Sequence, residues 1–269
     1  MVITILNHFS LIKVYRVCNN LSGLFEVRNS LNVDQQNLYA TLDYVNCFTF
    51  VVLREINEKM EEVVRIEIPE KYDTKFATRP SIIDLQNGQV LLCISSCETV
   101  YKIQWDKQTT RKEKEQVKSY KMHSKIRYID RIRRGASDMS AELKLVASFE
   151  DFTLRVLSFS FSGGFKEISR VSPITYNWNP TMLLMHPTLS VLLVANKKQN
   201  ATIPEFTSSI EIFRVSNDFA VNYEETLTYF DNKLLVGPGW KFVNVMREKE
   251  VKLILYDSNS GSLKIFNFQ

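Results

Sequence analysis

The sequence predicts an all-β fold, and three observations in its 269 residues support that prediction. Apolar residues recur at every second position in short runs such as Ile210-Glu211-Ile212-Phe213, a spacing that places side chains on one face of a sheet. These runs are rich in β-branched and aromatic residues, which favour strands. A strand-turn-strand unit recurs six times, and one such unit cannot bury its apolar face alone. The chain therefore needs several stacked sheets.

The six predicted hairpins share one pattern: a short apolar run, a small polar turn, and a β-branched strand that ends in an aromatic or apolar residue. Their second strands end 38 to 57 residues apart, at or above the period of propeller blades. Each hairpin is preceded by room for two more strands, and four short strands make a blade. The hairpins are expected near residues 2–17, 48–68, 90–106, 143–159, 191–215 and 251–268.

The repeat predicts one β-propeller domain of six or seven blades over residues 1–269. A two-sheet β-sandwich, or a pair of them, is the alternative, and the scarcity of glycine (8 residues) counts against a propeller. The hairpin at 2–17 lacks its two preceding strands, so the first blade is expected to be incomplete. A missing preceding segment, a partial blade, or strands supplied by a partner protein would each account for this.

Two segments carry family resemblances. Residues 95–106, which end in Trp105-Asp106, resemble the end of a WD40 repeat, and residues 185–195 resemble the second and third strands of a WD40 blade. Residues 193–215 and 236–242 resemble the lactonase-type propellers. The WD40 resemblance implies a binding platform. The lactonase resemblance implies hydrolysis of a sugar lactone by His, Arg and acidic groups that line a central channel, and no residue of this chain can be matched to those roles.

Composition limits the location and the redox chemistry of the protein. The longest apolar runs, such as residues 191–195, are too short to cross a bilayer, and the N-terminus lacks the order of a signal peptide. Four cysteines are too few for a disulfide scaffold, and Cys93 and Cys97 are predicted to be small apolar residues in or beside a strand. An intracellular protein, nuclear or cytoplasmic and without membrane contact, is expected.

Catalytic motifs are sparse in the sequence. His8, His123 and His186 fall in different repeats, and His186 precedes a proline at a position typical of packing. No metal-ligand spacing, glycine-rich phosphate loop or nucleophile elbow is present in the sequence. We therefore expect no enzyme activity, no cofactor, no catalytic residue and no metal site.

Charge and loop aromatics point to candidate contact surfaces. Residues 107–134 hold eleven Lys or Arg against three acids, with Tyr120, His123 and Tyr128 between them. Such a segment is typical of a solvated loop and strand face, but it also suits an acidic protein partner or a phosphate backbone. Trp178 and Trp240, in loop-like contexts, are either packing residues or contact residues. The candidate partner-binding residues are Lys118, Lys121, Lys125, Arg127, Arg131, Arg133, Arg134, Trp178 and Trp240.

The function expected from the sequence is a non-catalytic, WD40-like scaffold subunit of an intracellular multiprotein complex. Its partners would be other protein subunits, one of which could complete the first blade. A nucleic-acid-contacting subunit of a ribonucleoprotein or chromatin complex, bound through residues 107–134, is the first alternative. A lactonase-like hydrolase is the second.

Overall fold

The computed structural model of the protein describes residues 2–7, 10–16, 25–27, 38–43, 48–56, 59–69, 80–86, 88–104, 116–132, 142–172, 180–186, 190–199, 206–227, 241–245, 250–257 and 262–267. The regular elements in these ranges are all β-strands, so the all-β prediction is confirmed. Within the same ranges, no helix is long and apolar enough to cross a membrane. The chain divides into two compact units, Met1–Lys121 and Met122–Gln269, and the single-domain expectation stays a prediction.

The first unit consists of antiparallel strands that pair in sequence order. Strands β1 (Val2–Asn7) and β2 (Ser10–Arg16) form a two-stranded sheet. A four-stranded sheet follows, made of β3 (Phe25–Val27), β4 (Leu38–Asp43), β5 (Phe48–Ile56) and β6 (Lys59–Ile68). The next sheet begins with β7 (Ser81–Gln86), β8 (Gln89–Cys93), β9 (Cys97–Gln104) and the long β10 (Gln116–Arg131), within which the division between the units falls.

The second unit continues the same arrangement. After β10 the order is β11 (Glu142–Phe149), β12 (Leu154–Ser160) and β13 (Gly164–Val171). A four-stranded sheet comprises β14 (Pro180–Met185), β15 (Val191–Gln199), β16 (Phe206–Val215) and β17 (Val221–Leu227). Strands β18 (Lys241–Val245), β19 (Glu250–Asp257) and β20 (Ser262–Asn267) form a three-stranded sheet.

All six predicted hairpins are present as antiparallel pairs: β1 with β2, β5 with β6, β8 with β9, β11 with β12, β15 with β16, and β19 with β20. The position of the hairpin in its sheet differs from the prediction in the second unit. There β11–β12 and β15–β16 are inner pairs, flanked in their sheets by β10 and β13 and by β14 and β17. The following strands, β13 and β17, are largely exposed and polar, so they lack the apolar alternation on which the prediction depended.

Each unit buries an apolar cluster between neighbouring sheets. In the first unit Phe50, Val52 and Ile66 pack with Leu92 and Ile103. In the second unit, side chains of β11 and β12 pack against those of β14, β15 and β16 across two sheets. Residues on both faces of β5, β8, β11, β12 and β15 are buried, which explains the long apolar runs of these strands.

Cys93 lies fully buried in β8, as the sequence predicts for a small apolar residue. Burial raises the pKa of its thiol, and the neighbouring Cys97 acts in the same direction. Neither cysteine is in a disulfide. The Cys93 thiol is therefore neutral at physiological pH and serves as packing volume.

Two hairpin turns of the second unit hold phenylalanine in the left-handed backbone region. Phe152 has a φ of 62° and Phe219 a φ of 67°, and two backbone hydrogen bonds of 2.9–3.1 Å close each turn. Glycine or asparagine usually occupies this position, because a Cβ atom is disfavoured there. An aspartate precedes the phenylalanine in both turns, Asp151 and Asp218. This turn chemistry helps to explain how a chain with only 8 glycines forms so many hairpins.

Phe152→Gly is expected to be more stable than Phe152→Ala by about 1 kcal/mol, because both lose the ring and only glycine relieves the left-handed strain. Urea unfolding of the two variants measures the difference. The matched control is Asn222, exposed within strand β17. At this position Asn222→Gly should be less stable than Asn222→Ala by about 0.5–1 kcal/mol. Equal stability of the two variants at position 152 would contradict the strain at this turn.

Candidate functional site

The basic segment predicted from sequence lies largely on strand β10. Lys118, Lys121 and Lys125 are exposed, whereas Arg127 and Arg131 are half-buried. Lys118 lies 5.1 Å from the Tyr120 ring centre, and Lys121 Nζ lies 3.8 Å from a Glu98 carboxylate oxygen. Arg133, Arg134, Trp178 and Trp240 lie outside the described residues.

The half-buried arginines make contacts within the second unit. The Arg127 guanidinium lies 5.2 Å from the ring centre of Phe152. Burial lowers the pKa of Arg127, and the charge of Glu150 opposes that shift. The backbone N–H of Arg131 donates to Asp130 Oδ1 at 2.7 Å. The basic segment thus divides into exposed lysines and half-buried arginines, and its role in partner binding stays a prediction.

His186 is buried directly after strand β14, as expected of a packing residue. Its backbone N–H donates to the Val191 carbonyl at 2.9 Å, and burial lowers the pKa of its imidazole. His123 is exposed on β10, and His8 is outside the described residues. In the described part of the chain, no group of three or more His, Cys, Asp or Glu side chains could hold a metal ion.

A carboxylate, an ammonium and a hydroxyl meet at one end of strands β11 and β12. Lys144 Nζ donates to Glu142 Oε2 at 2.8 Å and to Ser158 Oγ at 3.0 Å. The Ser158 hydroxyl in turn donates to Glu142 Oε2 at 2.7 Å. Lys144 and Ser158 are direct cross-strand partners, and Glu142 is two residues from Lys144 on the same face. We call these three residues the Glu142 cluster.

The members of the Glu142 cluster differ in exposure. The Glu142 side chain is 55% exposed and that of Lys144 is 20% exposed, while Ser158 is buried. Hydrogen bonds from Lys144 and Ser158, together with the positive charges of Lys144 and Lys166, hold the pKa of Glu142 below its usual value. An ionised carboxylate at neutral pH is therefore open to solvent beside a largely buried ammonium.

The turn between strands β16 and β17 lies against the Glu142 cluster. Lys144 Nζ lies 5.5 Å from the Phe219 ring centre, and Ser169 Oγ donates to the Phe219 carbonyl at 2.8 Å. Ser169 is in β13, so this hydrogen bond fixes the turn to the neighbouring sheet of the same unit. The aromatic ring of Phe219 is thereby held next to the charged groups.

A second polar cluster lies on the opposite face of β12, around the buried Arg155. Its guanidinium pairs with Asp151, donates to Thr153 Oγ1 at 3.0 Å, and lies 3.5 Å from a Glu167 carboxylate oxygen. It also lies 4.2 Å from the Phe149 ring centre. These contacts surround the charge on several sides, which is typical of a structural ion pair.

A buried amide–carboxylate contact joins strands β15 and β16. Asn196 Nδ2 donates to Glu211 Oε1 at 3.0 Å, and both side chains are buried. The pair lies on the same sheet face as Val194 and Phe213. Its enclosure in the core favours a structural role.

Sequence reasoning missed the Glu142 cluster because its members are separated along the chain. Ser158 is 14 residues from Lys144 and 16 from Glu142, so no short motif contains them. The signal that could have found them is the hairpin register, which places Lys144 directly opposite Ser158.

Comparison with known proteins gave matches among solved structures. No protein-family model and no curated protein sequence matches the chain. A candidate 6-phosphogluconolactonase from Bacteroides fragilis has a TM-score of 0.51 at 13% identity, over 96% of this chain and 73% of the other. The periplasmic gluconolactonase of Pseudomonas aeruginosa has a TM-score of 0.50 at 12% identity, over 87% of this chain. This chain spans 66% of that protein, just under two thirds.

These comparisons correct the functional expectation. The non-catalytic scaffold and the absence of enzyme activity are contradicted, because the proteins that share the fold are named for lactone hydrolysis. The WD40 assignment gains no support, and Trp105-Asp106, on which it largely depended, lies outside the described residues. The expected intracellular location stays a prediction. At this level of identity the likeness shows the fold alone, and that fold is a β-propeller of the kind found in lactonases.

Proposed function

We propose that the protein is a hydrolase that opens the cyclic ester of a sugar lactone. The observation that carries the proposal is the fold likeness to two proteins named for lactone hydrolysis, which extends over 96% and 87% of this chain. The sequence resemblance of residues 193–215 and 236–242 to lactonase-type propellers points in the same direction.

The chemistry of lactone opening makes modest demands on the protein. Water must attack the ester carbonyl, a base must accept the proton of that water, and a positive group must stabilise the oxyanion that forms. None of these steps requires a histidine, so the scattered positions of the three histidines do not exclude lactone hydrolysis. Carboxylates and lysines can supply both roles.

The proposal is tested by titrating the acid that lactone hydrolysis releases. The purified protein is given glucono-δ-lactone and 6-phosphoglucono-δ-lactone in a pH-stat near neutrality, with heat-denatured protein as the control. We expect a rate above the spontaneous hydrolysis that is proportional to protein concentration and saturates with substrate. A rate equal to the spontaneous one for both lactones would overturn the proposed function.

A further inference from the structure

We propose that a surface formed by strand β10 and the turn between β11 and β12 is a docking site for an acidic protein segment in extended conformation. The surface consists of His123, Lys125 and Phe152, with Arg127 against the Phe152 ring, and we call it the Phe152 surface. All four residues belong to the second unit. The inference goes beyond the proposed hydrolysis and does not rest on it.

The aromatic ring of Phe152 is exposed, although its backbone conformation disfavours such a residue. Its φ is 62°, and the residue is 42% exposed. Glycine would avoid the strain of this conformation, and burial in a core does not account for a ring that faces solvent. Strained positions of this kind concentrate at ligand-binding sites. The Arg127 guanidinium, 5.2 Å from the ring centre, helps to hold the ring in place.

Two basic side chains of β10 lie beside this turn. The backbone N–H of Glu150 donates to the Lys125 carbonyl at 2.9 Å, which brings the turn next to Lys125. His123 and Lys125 are exposed and Ser124 between them is half-buried, so the two basic side chains share one face of the strand. Their separation along the strand, about 6.6 Å, equals that of alternate side chains in an extended peptide.

The charge balance of this surface favours an acidic ligand. The acidic residues of the turn are already engaged, since Asp151 pairs with Arg155 and the charge of Glu150 acts on Arg127. In the described part of the chain, no carboxylate forms an ion pair with Lys125. The Lys125 ammonium is therefore uncompensated, and a carboxylate from a partner would complement it.

An acidic peptide fits this surface better than a phosphate chain does. Glu150 and Asp151 directly precede Phe152, so a nucleic acid base stacked on the ring would bring its phosphates close to two carboxylates. An extended peptide carries acidic groups at alternate positions and can place a neutral residue beside the turn. A large apolar side chain of the peptide would contact the exposed ring, as aromatic residues do at protein interfaces.

Binding of a designed peptide tests the proposal. The probe is a fluorescein-labelled peptide in which glutamate alternates with serine and one phenylalanine stands near the end. Its binding to the purified protein is followed by fluorescence anisotropy, and we expect saturable binding that weakens as the salt concentration rises. The same peptide with glutamine in place of glutamate should bind about tenfold more weakly. Equal binding of the two peptides would overturn the proposal.

Two variants and two matched controls locate the binding. Lys125→Glu should weaken peptide binding about tenfold, mainly through slower association and a smaller salt dependence. Phe152→Gly should weaken it by a similar factor, mainly through faster dissociation. Lys166→Glu makes the same charge change at another exposed lysine of the unit. Phe161→Ala removes a ring from a residue that is 44% exposed, against 42% for Phe152. Both controls should bind the peptide as the wild type does.

Circular dichroism and thermal unfolding of each variant check that the fold is kept. If Phe152→Gly unfolds, Phe152→Asn takes its place, because asparagine also tolerates the left-handed region. Peptide binding that is equal in Lys125→Glu, Phe152→Gly and both controls would overturn the proposal, as would the absence of saturable binding to the wild type. Tighter binding of a labelled oligothymidylate, or of phosphatidylserine vesicles, than of the peptide would overturn the acidic protein segment as the ligand.

Discussion

Phe213→Ala is expected to lower the free energy of unfolding by about 4 kcal/mol. Phe213 is fully buried in the apolar cluster of the second unit, where β11 and β12 pack against the four-stranded sheet of β14 to β17, and its ring meets Tyr223 edge to face at 5.7 Å. Removing the ring loses its transfer free energy and leaves a cavity that neighbouring strands, fixed by backbone hydrogen bonds on both sides, cannot close. Urea unfolding followed by circular dichroism measures the loss.

The control for this variant is Phe161→Ala. Phe161 is 44% exposed in the turn after β12, and its ring touches Phe159 only at an edge, 5.8 Å between centres. Its loss should cost about 1 kcal/mol or less. Similar costs at positions 161 and 213 would contradict the close packing of the apolar cluster.

Asp151→Ala is the second large effect, with an expected loss of about 2 kcal/mol. The variant leaves the Arg155 guanidinium, whose side chain is 6% exposed, without its nearest carboxylate. The loss stays below that of a fully buried pair, because Asp151 itself is 38% exposed and Glu167 remains 3.5 Å from the guanidinium. Urea unfolding at neutral pH measures it.

The same pair gives a pH dependence with a defined sign. Burial alone would raise the pKa of Asp151, but hydrogen bonds from Thr153 and the charge of Arg155 outweigh burial and lower that pKa. A lowered pKa in the folded state stabilises the protein above the unfolded value, about 3.9, and the stabilisation is lost as pH falls through the folded value. The free energy of unfolding of Asp151→Ala should therefore fall less than that of the wild type as the pH is lowered through the acid range.

The control for Asp151→Ala is Glu224→Ala. Glu224 pairs with Arg214, whose side chain is 61% exposed, so the pair should contribute about 0.5 kcal/mol or less. Equal stability of Asp151→Ala and Glu224→Ala would contradict the prediction, because Arg155 would then not depend on Asp151 for the compensation of its charge.

The fold was predictable wherever the strands are buried. Strands β8, β11, β12 and β15 carry dense apolar and β-branched residues because both of their faces are buried, and those residues are visible without a structure. Strands β13 and β17 were not predictable in this way, since each lies at the edge of its sheet. Strand β13 exposes Lys166 and Glu167, and strand β17 exposes Glu224 and Glu225. The left-handed turns were hidden as well, because phenylalanine replaces the glycine that marks such a turn.

The candidate site was less predictable than the fold. The scattered histidines led to the expectation of a protein without enzyme activity, and the repeat with its WD40 resemblance led to the expectation of a binding platform. The Glu142 cluster depends on which residue of β11 lies opposite which residue of β12, and a shift of one position would place Ser158 on the other face. That register is set by the polar turn at residues 150–153 and by the packing of both strands.

The strictly sequential pairing of strands has a consequence for how the protein folds. Within each sheet a strand pairs with the strand that follows it, so the ladders close over short stretches of chain. Closing a short loop costs little entropy, and local pairing generally speeds folding. Single hairpins are marginal in water, however, until their apolar faces are covered. The slow step of folding should therefore be the docking of preformed sheets on one another rather than the search for strand partners.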